Sequence, residues 1–162
     1  MRSPGAWRHA PGLALLVLAS IGLLPSRASG QACSSEAGRY RLIVQPRLVV
    51  FPVPGIAEFE TGWVLADPMS IRVIPRGGGS RGWELCVRSD DPDLGGYGKP
   101  ISDLEWRLAG QAAWQPISAW NQPVASGFAN EIVSVELRAR LDWERDAPDT
   151  YSAVITFTSA KL

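Results

Sequence analysis

The chain has 162 residues, with 16 basic and 16 acidic side chains that cancel to no net charge and a hydrophobic share of 46%. That length suits one domain with a single buried core, and a charge balance without excess base excludes the usual electrostatic footprint of a nucleic-acid binder.

The first 32 residues, "MRSPGAWRHAPGLALLVLASIGLLPSRASGQA", place Arg2, Arg8 and His9 ahead of an apolar run at 13–24 and close on small residues. This is the three-part layout of a secretory leader, predicted over residues 1–28 with cleavage as late as 32. The run is too short to cross a bilayer as a helix, and no later stretch is longer, so no transmembrane segment is expected in the mature chain. Cleavage removes three basic residues and leaves 13 against 16 acidic ones, a net charge of −3.

Cys33 lies just past the apolar run, and Cys86 is the only other cysteine. An even cysteine count in an oxidising compartment favours a Cys33–Cys86 disulfide. Lipid attachment at Cys33 fits less well, because Gly30 and Gln31 stand where an aliphatic and a small residue are usual. Two free thiols are the third possibility. Residues 29–38 read as an N-terminal extension, and residues 39–162 as one domain.

From Tyr40 onward the apolar pattern has period two, with frequent Pro and Gly punctuation and no stretch of helical spacing. "YRLIVQPRLVVFP" predicts one or two strands broken at Pro46. "MSIRVIP" and "GWELCVRS" flank "RGGGSR" as a predicted hairpin, and "DLEWRL" with "AAWQPIS" supplies another pair, with Leu104, Trp106 and Leu108 on one face. In "SVELRARLDWE", Val135, Leu137, Ala139, Leu141 and Trp143 alternate with Ser134, Glu136, Arg138, Arg140, Asp142 and Glu144, giving a half-buried strand with a charged outer face. "TYSAVITFTS" repeats the scheme, and the turn chemistry of "RDAPD" predicts a hairpin between the two. Seven to nine short strands of this kind predict an all-β, antiparallel sandwich of Ig-like or fimbrial-like type.

The single histidine, His9, lies in the leader. The mature chain therefore has no imidazole base, and Ser–His and Cys–His nucleophile pairs and the HExxH zinc site are excluded. Glu84 and Glu105 could form a carboxylate pair for glycoside hydrolysis, but both fall opposite apolar strand positions, where a solvated face is the ordinary explanation. The expectation is a protein that is not an enzyme. Asp90, Asp91 and Asp93, with Asp103 nearby, are candidate ligands for calcium, although their spacing does not match an EF-hand loop; no other cofactor is suggested. "RGGGSRG" precedes a strand rather than a helix, which makes it a hairpin loop rather than a phosphate cradle.

Six tryptophans survive cleavage. Trp83, Trp106 and Trp143 are in step with apolar neighbours and predict core. Trp114 and Trp120 flank "QPISA", where the pattern breaks, so their rings could lie on the surface and stack on a sugar, with Asn121 and Gln122 bonding its hydroxyls.

The segment "SVELRARLDWERDAPDTYSAVITFT" resembles the closing strands of secreted bacterial β-sandwich modules, namely WxL-type surface domains and spore-coat-U or fimbrial-like domains. Those families end in a Pro-Gly-Thr-Tyr turn before a Thr-rich strand, and Pro148-Asp149-Thr150-Tyr151 holds that place here; Trp83-Glu84-Leu85 also spells a WxL triplet. The resemblance implies an envelope or cell-surface role, with a protein partner or homo-assembly, or a wall glycan, as what it contacts.

Overall fold

The computed structural model describes Cys33 and residues 40–76, 82–95, 98–146 and 150–162. The predicted leader, the extension apart from Cys33, most of the "RGGGSR" loop and Pro148-Asp149 lie outside these residues. The described residues form nine strands: β1 (Tyr40–Gln45), β2 (Trp63–Leu65), β3 (Met69–Pro75), β4 (Trp83–Ser89), β5 (Leu104–Leu108), β6 (Gln115–Pro116), β7 (Gln122–Gly127), β8 (Glu131–Arg140) and β9 (Ile155–Lys161). One short helix, α1 (Ile56–Thr61), and a 3-10 turn at Ile101–Asp103 complete the described elements.

The strands form two antiparallel sheets. The larger has the order β1-β3-β8-β5-β6, with β2 also paired to β8; the smaller has the order β7-β4-β9. β2 and β3 pair with the same side of β8 at successive positions, Trp63 opposite Arg140 and Met69 opposite Val135. The intervening Ala66 keeps contact by donating its N–H to the Leu137 carbonyl.

Alternation decides which side chains face inward. Ile71 and Val73 of β3, Val135 and Leu137 of β8 and Trp83 and Leu85 of β4 are essentially inaccessible and meet between the sheets. Each large aliphatic side chain so buried contributes about 1.5–3 kcal/mol. Tyr151, Ala153, Ile155 and Phe157 pack against the same core, in the phase their alternation predicts.

Three expectations need correction. The segments around "RGGGSR" are no hairpin: β3 belongs to the larger sheet and β4 to the smaller, so the chain crosses the sandwich there. β8 and β9 likewise lie in different sheets, and "RDAPD" sits in a crossover rather than a hairpin turn. Trp143 is 60% exposed rather than core, because β8 ends at Arg140 and the chain turns before the alternation reaches it; its ring stacks on Phe59 of α1 at 4.2 Å between centroids. The "DLEWRL" and "AAWQPIS" pair does form, as β5 with β6.

Cys33 and Cys86 are joined, with Cα atoms 6.1 Å apart. Cys86 points away from Trp83 and Leu85, to the outer face of the smaller sheet, and packs with Cys33 and Ala160 in a separate buried cluster. A structural disulfide fits an oxidising, extracytoplasmic compartment. Among the described residues no helix is long and apolar enough to cross a membrane.

Candidate functional site

The outer face of the larger sheet carries an ordered array of charge and aromatic rings. On β8 and β5 the register sets Arg138 opposite Glu105 and Glu136 opposite Arg107, all on the face turned from the core. Arg138 Nε donates to Glu105 Oε2 at 2.5 Å and Arg107 Nε to Glu136 Oε2 at 2.6 Å. The pairs alternate in sign both along and across the strands, so each guanidinium has its carboxylate directly across the ladder.

β6 carries the chain back past β5, and Trp114 just before it lies over both guanidinium groups, with its centroid 4.3 Å from Arg107 Cζ and 4.5 Å from Arg138 Cζ. Trp63 of β2 approaches Arg138 from the other side of β8, at 6.0 Å. Arg138 thus sits between two tryptophans, an arrangement the negative ring faces favour.

Next to this array is a cleft of about 460 Å³ lined by Thr61, Gly62, Trp63, Glu105, Arg138, Arg140, Leu141, Asp142 and Arg145. Gly62 makes its upper edge possible: at φ 80° it adopts the left-handed conformation that ends α1 and turns the chain into β2. Asp142 is held below the ordinary carboxyl value of 3.8, first by the Glu144 N–H that it accepts and then by the charge of Arg145. Its contribution to stability is therefore present above 3.8 and lost as the pH falls below it. Arg145 bridges Asp142 and Asp103, each at 3.2 Å. Arg140 is exposed and forms no ion pair among the described residues.

Beneath the cleft, Lys99 is buried with Asp146 at 2.6 Å and Asp103 at 3.4 Å. Asp146 also accepts the Asp142 N–H at 2.9 Å, so the network ties the segment before β5 to the turn after β8.

The candidates read from sequence are dispersed. Trp114 lies on the face just described and is half-buried by the arginines. Trp120 is 75% exposed in the connection between β6 and β7, and no stacked ring contact joins it to Trp114 among the described residues. Gln122 donates to the Pro116 carbonyl at 2.9 Å, while its Oε1 and the Oδ1 of Asn121 are turned inward. Asp103 is occupied by Lys99 and Arg145. Asp90 pairs with Arg88, and Asp91 accepts the Val154 N–H at 2.6 Å. Asp93 lies in a bridge to Pro100, and these four carboxylates form no three-way cluster. The one described group of that kind, Cys33, Glu84 and Cys86, contains the disulfide.

Glu84 and Glu105 lie on the outer faces of different sheets, on opposite sides of the sandwich. Glu84 accepts the Cys33 N–H at 3.3 Å, and Glu105 is buried by its arginine partner rather than solvated. Sequence reasoning passed over Trp63. Its signal was the three-residue alternation Trp-Val-Leu after Gly62, which puts Val64 in the core and Trp63 and Leu65 outside.

No family model, curated protein or solved structure matches the chain.

Proposed function

We propose that the protein is a non-catalytic module of a bacterial envelope or surface assembly, an Ig-like or fimbrial-like sandwich exported beyond the cytoplasm that works by contact with a protein surface. The observation that carries this reading is the stretch that leads from β1 into the first residue of α1. Val49 and Phe51 pack against the core, whereas Leu48, Val50, Val53 and Ile56 project into solvent, Val53 at 94% exposure. Apolar side chains strung along one short segment are costly to leave in water and mark an interaction surface. The leader pattern, the disulfide and the likeness of the closing strands to WxL-type and spore-coat-U domains support an envelope setting.

The test is a Leu48→Ser, Val53→Ser, Ile56→Ser triple variant. These side chains add little to the core, so the variant is expected to fold with an unchanged melting temperature and to fail to co-fractionate with the envelope assembly that retains the natural chain. Equal retention of the folded variant would overturn the reading.

A second reading is favoured by the cleft beside β2: an aromatic ring at the edge of a polar hollow is the geometry of a glycan-binding module, and here the ring that lines the hollow is Trp63.

A further inference from the structure

We infer that the cleft between β2 and the end of β8 binds a pyranose ring that carries a carboxylate, with Trp63 as the stacking platform and Arg140 as the carboxylate clamp. The inference rests on the second reading above, that the module binds a glycan, and specifies the class of sugar.

Trp63 and Arg140 are directly opposed across the β2–β8 ladder, on the outer face, and both line the cleft. Side chains so placed have Cβ atoms about 4.5–5.5 Å apart, the scale of one sugar ring with its exocyclic group. The other two arginines of the cleft are committed: Arg138 to Glu105, and Arg145 to Asp103 and Asp142. Among the described residues Arg140 alone of the three has no carboxylate partner, so the cleft is lined by one planar fork of donors without an anion.

Counting the lining side chains, three guanidinium groups stand against two carboxylates, Glu105 and Asp142, which gives the cleft one net positive charge in a chain whose charges cancel overall. The two carboxylates are already neutralised by their arginines, and their remaining lone pairs can accept from sugar hydroxyls, as can the Thr61 hydroxyl. A neutral sugar would use Trp63 and these acceptors but leave Arg140 unanswered. An acidic peptide would answer Arg140 but supply few hydroxyl donors for Glu105 and Asp142.

The test measures binding of a galacturonic acid tetramer to the disulfide-intact mature protein by calorimetry and tryptophan fluorescence. A neutral xylose tetramer and a glutamate tetrapeptide serve as comparison ligands. The uronate is expected to bind and to shift tryptophan emission. Arg140→Gln should weaken it by about tenfold to a hundredfold, the usual effect of losing a hydrogen bond to a charged group. Trp63→Ala should abolish the emission shift, and melting curves establish that both variants are folded. Binding of the xylose tetramer as tight as that of the uronate, or uronate binding indifferent to Arg140, overturns the inference while leaving a glycan-binding module in place. Tight binding of the glutamate peptide alone replaces the sugar with a peptide, and no binding by either sugar overturns both the inference and the glycan reading.

Discussion

Trp83 is enclosed because its cross-strand partner is a glycine. It pairs with Gly127 on β7, its ring is inaccessible, and its indole N–H donates to the Ala129 carbonyl at 2.8 Å. A Cβ at position 127 would stand 2.5 Å from Trp83 Cζ2 and 2.7 Å from Glu131 Oε2. Gly127→Ala should therefore cost about 1–3 kcal/mol through overpacking; urea denaturation checks this, and an unchanged midpoint would show that the ring can move aside. Lys99 makes a different demand. Its removal as Lys99→Met strands buried Asp146 without its cation and should cost about 3–5 kcal/mol, whereas the double variant Lys99→Met, Asp146→Leu should recover most of that loss. A thermal-melt comparison of the two reads the difference directly. Neither residue announces its role in the sequence, since Gly127 lies in a plain Ser-Gly-Phe stretch and Lys99 between a glycine and a proline.

At the scale of elements, period-two alternation made the core faces of β3, β4, β5 and β8 legible, because the inward side chains of a half-buried strand are predominantly apolar. It could not say which strands pair. Two alternating runs joined by turn residues look the same whether they pair in one sheet or face each other across about 10 Å of core. The β3–β4 and β8–β9 connections were misread for this reason, and from β3 to β9 all connections but β5–β6 cross between the sheets. Trp143 was misplaced because alternation continues past Arg140 in the sequence after the ladder has stopped. The candidate site was less legible still. The Trp63–Arg138–Trp114 stack joins three elements far apart in the chain, and only pairing brings them to one face. The disulfide was legible from cysteine arithmetic and from the phase of Cys86. It closes a loop of 53 residues and fixes Cys33 against β4, where Cys33 also reaches Glu84. In the chain-entropy model such a loop is worth about 4 kcal/mol. Cys33→Ser, Cys86→Ser should lower unfolding free energy by about that amount while leaving the far-ultraviolet strand signal intact, because the main core does not include the pair; loss of the strand signal would show that the staple is needed to fold.

The whole molecule is a sandwich whose faces differ. The smaller sheet has its outer face partly covered by Cys33, the larger carries the arginine, carboxylate and tryptophan array, and the segment leading into α1 exposes its apolar side chains. Contact through that last segment is the central claim, and radical footprinting tests it without knowledge of the partner. Oxidative labelling of Leu48, Val50, Val53 and Ile56 is compared between the purified protein and intact cells that make it, with exposed Trp120 and Trp143 as internal references. Strong labelling of the four is expected in the purified protein and marked protection of them in the cells, with the references unchanged relative to one another. Equal labelling of the four in both settings would contradict contact through this segment.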